Sequence, residues 1–136
     1  MGAYITKAKI EAVYGVSNIA KWSNLDNDDA QANDDRIDDA ITYAEAYIDD
    51  KLRGGRYVVP ISGTIPTAII DMSAKMAGVW LYNTRRIIRK SDDNTGALIQ
   101  GHQDEVDSLL NEYTSGQRQL DAPKTHTSAT APVVVT

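Results

Sequence analysis

The sequence predicts a mainly α protein: a small bundle of about four helices, an irregular Gly-Arg-Tyr-x-x-Pro loop and an extended C-terminal tail. Three observations carry that prediction. Apolar residues recur at steps of three and four through three long stretches. The one strongly β-branched run outside the tail, Arg56 to Ile61, is too short to build a sheet. After Gly116 the helical period stops and the composition turns to Pro, Thr, Ser and Ala, which divides the chain into a helical domain over 1–116 and a tail over 117–136 that depends on a partner for order.

Each element follows in order. Thr6 is placed to cap a short helix through Tyr14, with Ile10, Val13 and Tyr14 on one side and Gly15 ready to take the left-handed stop. A second helical turn runs from Val16 to Trp22. The segment 23–33 is polar, small and acidic, hence an exposed loop. From Asp34 to Leu52 the residues Ile37, Ala40, Ile41, Ala44, Tyr47, Ile48 and Leu52 form one apolar stripe, while Asp34, Asp35, Asp38 and Asp39 crowd the first turns, where the helix dipole favours negative charge. Gly54-Gly55 ends that helix. Pro66 suits the first turn of the next, because its missing amide would have had no partner there. This helix, expected to reach about Lys90, is apolar over more than one stripe, so it is predicted to be the central one. Its end carries Arg85, Arg86, Arg89 and Lys90, as the negative end of the dipole prefers. The last helix spans about Thr95 to Tyr113, with Leu98, Ile99, Val106, Leu109, Leu110 and Tyr113 on one side and Gly101 interrupting.

At 136 residues the chain has room for one core. It contains no cysteine, which removes disulfides and thiolate metal sites. No run approaches the roughly 18 apolar residues of a membrane span and no signal-like start is present, so a soluble, unexported protein is expected. The net charge of −5 conceals blocks: residues 26–50 hold ten acids against Arg36 alone, and residues 51–90 hold eight bases against Asp71 alone. Such blocks can be ordinary solvated faces or can pair between copies. An acidic chain is poorly suited to wrapping DNA, since duplex affinity rests on Lys and Arg neutralising phosphates.

No catalytic constellation emerges, and the sequence is read as that of a non-enzyme without cofactor. The two histidines are His102, on a polar helical stretch, and His126, in the tail. Nucleophile elbows, phosphate loops and metalloprotease helices are absent from the sequence. Asp26, Asp28 and Ala30 fall where a calcium loop places its first ligands, yet Ala30 cannot coordinate through its side chain, Gln31 replaces the turn glycine and Ile37 the closing glutamate. No metal site is expected. The tail ends Val133-Val134-Val135-Thr136, a β-forming end suited to strand addition on a partner.

Taken together, Tyr4-Ile5-Thr6, the acids Asp26 to Asp29, the helix Ile37 to Leu52, Gly55-Arg56-Tyr57-Val58-Val59-Pro60, Ile65-Pro66 and Trp80-Leu81-Tyr82-Asn83-Thr84-Arg85 form a pattern. It resembles the small head-to-tail connector, or adaptor, proteins of tailed bacteriophages, including Mu-like connectors formerly treated as a domain of unknown function. The resemblance spans about residues 3–115. The acidic loop departs from it by lacking the glycine-punctuated spacing of some relatives, and the tail after Ser115 has no counterpart.

The resemblance implies a homo-oligomeric ring, commonly of twelve subunits, at the head-tail junction of the virion and assembled in the host cytoplasm. That ring would sit below the portal protein and offer a surface to a stopper or tail-completion protein while DNA passes through its lumen. On that reading Arg56, Tyr57, Val58 and Pro60 contact the portal or a neighbour. Asp34, Asp35, Asp38 and Asp39 would pair between subunits with Arg85, Arg86 and Arg89, and Val133, Val134 and Val135 would dock the tail. For Tyr57 the competing reading is a core side chain, and Trp80 is read as core. The alternative function is a monomeric helical protein-binding module or regulator. A metal-dependent hydrolase built on the Asp cluster is disfavoured by the lack of a suitably placed ligand histidine.

Overall fold

The computed structural model describes residues 4–24, 31–55, 57–88 and 95–120, with the side chains of 86–88 left aside. Every regular element among them is a helix: α1 Lys7–Tyr14, α2 Val16–Trp22, α3 Asp34–Arg53, α4 Thr67–Ile88 and α5 Thr95–Ser115. The mainly helical class is as expected; the count is five because the stretch after Gly15 completes a helix of its own.

Local chemistry explains the boundaries. Thr6 stands in extended conformation before α1, and its carbonyl, not its side chain, takes the first bonds from the Lys9 and Ile10 amides. Gly15 adopts φ 94°, a backbone state that costs an L side chain dearly, and so turns the chain from α1 into α2 within one residue. Asn33 caps α3 by accepting the Arg36 amide at 3.2 Å, and Asp34 and Asp35 follow in the first turn. Pro66 sits just outside α4, its carbonyl accepting from Ile69 and Ile70. The left-handed Gly116, φ 86°, closes α5.

The bundle is organised around α4, which packs against α1, α2, α3 and α5. On α3 the buried positions Ile37, Ala40, Ile41, Ala44, Ile48 and Leu52 make the expected stripe, set against α4 residues such as Ile69, Met72, Met76 and Leu81 that are almost fully enclosed. The eight large apolar side chains among these, four on each helix, at about 1.5–3 kcal/mol each are the main drive for closing this pair of helices. The sequence contains no Phe, so aromatic packing falls to Tyr and Trp: Tyr14, Trp22 and Tyr82 meet edge-on at ring separations of 5.2 and 5.3 Å. Gly78 lets Tyr14 cross α4, since a Cβ there would lie 2.0 Å from the Tyr14 ring.

The described chain does not stop at the end of α5. Leu120 is buried, which carries the packed body beyond residue 116 and four residues into the segment read as tail. Val133, Val134 and Val135, the acidic loop residues 26–29 and Arg56 and Arg89 lie outside the described residues.

Candidate functional site

The most specific sequence element, Gly55 to Pro60, is held at both ends by tyrosine hydroxyls. Tyr57 is buried, and its Oη accepts the amide of Leu120 at 3.0 Å. Ile61 is buried as well, and its amide donates at 2.8 Å to Oη of Tyr4. Tyr4 in turn donates to Asp49 on α3 at 2.5 Å, and the Tyr4 and Ile5 amides both donate to one Glu45 carboxylate oxygen, at 2.8 and 3.1 Å. The leading segment, α3, the loop and the chain after α5 are thus joined through two phenols. Between the two fixed ends Val58 and Pro60 are exposed, so among the described residues of the element these are the ones most open to another molecule. Tyr57 takes the core position: it holds the loop and does not present itself. Gly55 approaches α5 closely, where a Cβ would meet the Thr114 backbone at 3.1 Å.

Beside this loop lies a polar cleft of about 280 Å³ lined by Tyr57, Tyr113, Thr114, Gly116, Arg118 and Gln119. Arg118 is tied to Glu112 at 2.9 Å on its rim.

A second pair of tyrosines ties helices together. Oη of Tyr14 lies 3.1 Å from the Lys75 carbonyl and 2.8 Å from Nδ1 of His102. With one phenolic proton, all three groups are satisfied when Tyr14 donates to Lys75 and accepts from a protonated Nδ1, so His102 acts as a link between α5 and α1. Tyr47 donates to Asp107 and joins α3 to α5. The phenols of Tyr4, Tyr14 and Tyr47 are all pushed well above the usual range. Burial is the leading cause in each, reinforced by hydrogen bonding to Asp49 for Tyr4 and to Asp107 for Tyr47, and by the charges of Asp71 and Glu105 for Tyr14. Burial also raises the Asp49 carboxyl, against the opposing donation from Tyr4.

The charged residues singled out in the sequence differ in their surroundings. Asp34, Asp35, Asp38 and Asp39 are all exposed on α3, and Asp34 pairs with Lys7 at 3.0 Å. Arg85 is half-buried, with Nε donating to the Asn24 carbonyl at 3.0 Å; the side chain of Arg86 lies outside the described residues. Trp80 is partly buried against the core and is covered by the Arg36 guanidinium, 4.5 Å from its ring, which also donates to Thr84 at 2.7 Å. Tyr43, 44% exposed, lies 6.1 Å from Trp80 and 6.2 Å from Tyr47, and Lys51 stands over the Tyr47 ring. This cation and aromatic row along α3 and α4 was not read from the sequence. The signal was there in Arg36, Tyr43, Tyr47 and Lys51 at steps of seven, four and four, but only the position of Trp80 on α4 makes it a surface.

No group of His, Asp and Glu suited to hold a metal occurs among the described residues, and no helix of theirs is long and apolar enough to cross a membrane.

The comparison with known families places the chain among bacteriophage proteins. It belongs to the family described as bacteriophage Mu, Gp36, whose model matches residues 4–136. The match runs through the tail, for which the sequence resemblance supplied no counterpart. No curated protein matches the chain.

Proposed function

We propose that this protein is a structural subunit of the phage head-to-tail connector: an oligomeric ring below the portal that joins the DNA-filled head to the tail and performs no catalysis. The observation that carries this reading is the match of nearly the whole chain to a phage protein family. The Gly55 to Pro60 element agrees with it. A loop fixed at both ends by buried tyrosines presents Val58 and Pro60 with little conformational freedom left to lose, and such preorganisation favours docking to a portal or neighbour. The exposed carboxylates of α3 offer a neighbour a charged face, or repel DNA phosphates where they line a lumen. The terminal valines would add a strand to a partner above or below the ring.

Electron microscopy and native mass spectrometry of the full chain mixed with its portal test the proposal. Rings seated on the portal are expected. A chain that stays monomeric and ignores the portal overturns it and favours the binding-module alternative. Deleting residues 121–136 tests the tail separately, with weakened docking as the expected result and unchanged docking as the result that removes strand addition.

A further inference from the structure

The chain leaves α5 on a short strap that ends against the loop. Gly116 reverses the backbone, and Arg118 then returns its amide to the Glu112 carbonyl at 3.0 Å and its guanidinium to the Glu112 carboxylate at 2.9 Å. That ion pair faces solvent and contributes little, so the strap is fixed chiefly by its last described residue. Leu120 is buried, and its amide donates to the buried Tyr57 hydroxyl at 3.0 Å. The residue after Tyr57 is Val58, 42% exposed. The strap therefore ends on the side chain from which the open part of the loop departs. The 280 Å³ cleft is lined by Tyr57 together with Arg118 and Gln119 of the strap. A seat bordered by a cleft has fewer packed neighbours than one inside the bundle, and such contacts open locally while the helices stay closed.

We propose that the strap 116–120 couples the chain beyond Leu120 to the loop: with Leu120 seated, Val58 and Pro60 are held for a partner, and withdrawal of Leu120 loosens them. The inference rests on the reading of the loop as a docking element and names what controls it. In the seated state the loop is tied to the strap through Tyr57 and to the leading segment through the Ile61 amide and Tyr4. In the released state the Leu120 amide is hydrated and the first of these ties is gone. A partner that binds the fixed loop binds the seated state better, and linkage makes the effect reciprocal. Occupation of the loop holds Leu120 in place, whereas a contact that draws residues 117–120 away weakens docking at Val58 and Pro60. Tail and loop are then one linked device and not two independent contacts.

Hydrogen exchange of the full chain, read amide by amide by NMR, tests the coupling without a partner. Leu120→Ser weakens the apolar seat and Tyr57→Phe removes only the acceptor; the folding of both is checked by circular dichroism. Each should speed exchange of the Ile61 amide about tenfold relative to the α4 core, the ratio for about 1.4 kcal/mol of lost local closure. Val106→Ala, a buried change in α5 away from the strap, should leave that ratio unchanged. An Ile61 amide indifferent to either strap variant, or accelerated as much by Val106→Ala, overturns the coupling. With portal protein added to the unaltered chain, the Leu120 amide should exchange about tenfold more slowly. Portal binding that leaves Leu120 unchanged also overturns the coupling, whereas failure to bind portal removes the connector reading and leaves the Ile61 result to decide the coupling.

Discussion

A chain without phenylalanine must fill its aromatic positions with residues that carry a polar atom, and each buried hydroxyl then needs a partner. Here that need is met by bonds between elements: Tyr4 and Tyr57 fix the loop, Tyr14 joins α1 to α4 and α5, and Tyr47 joins α3 to α5. Tyr57→Phe keeps the ring but leaves the buried Leu120 amide without its acceptor. It should cost about 1–3 kcal/mol in urea unfolding and speed hydrogen exchange at Leu120. Gly78 is the converse case, a position defined by what it lacks. Gly78→Ala should destabilise the fold by about 1–3 kcal/mol despite the better helix propensity of alanine, because its methyl would have to displace the Tyr14 ring. Denaturation midpoints of the variant and of Gly78→Ala with Tyr14→Ala decide this, the second change relieving part of the first.

At the scale of elements, the same residue type has the opposite meaning. Gly101 lies inside α5 at an exposed position where an added Cβ meets nothing within 4 Å. Gly101→Ala should therefore stabilise the protein by about 0.5–1 kcal/mol through reduced backbone entropy of the unfolded chain, read as a raised thermal midpoint. The helix ends were legible because their chemistry is local: the aspartates that open α3, Gly15 and Gly116 at left-handed turns, Pro66 ahead of α4. The apolar stripe of α3 was legible for the same reason, since Ile37 to Leu52 follows the helical repeat residue by residue. The role of Tyr57 was not. A tyrosine in a loop is equally at home in a core or an interface, and its partner, the Leu120 amide, is 63 residues away.

For the whole molecule, α4 is the hub on which the other helices pack, and the tyrosine bonds close the bundle around it. Three of those phenols give the fold a pH dependence of defined sign. Tyr4, Tyr14 and Tyr47 keep their protons in the folded state to a pH above the ordinary value of 10.0, so above that pH the unfolded chain releases protons that the folded chain retains. Their contribution is fully present below pH 10 and is lost as pH rises beyond it. The urea midpoint should fall on the alkaline side of pH 10, and Tyr14→Phe, though less stable at neutral pH, should show a shallower fall.

By itself the sequence determined the helical class, the position of each long helix, the central place of α4 and a resemblance to phage proteins. These depend on period, capping and composition, which act over a few residues. Tertiary structure alone decided which side chains are presented: that Tyr57 is inside while Val58 and Pro60 are outside, that Arg85 reaches the Asn24 carbonyl, that Leu120 continues the core, and that Arg36, Trp80 and Tyr43 form one surface. Those outcomes follow from contacts between residues 37 to 63 positions apart, whose pairing is set by how helices pack and is not encoded in any local repeat.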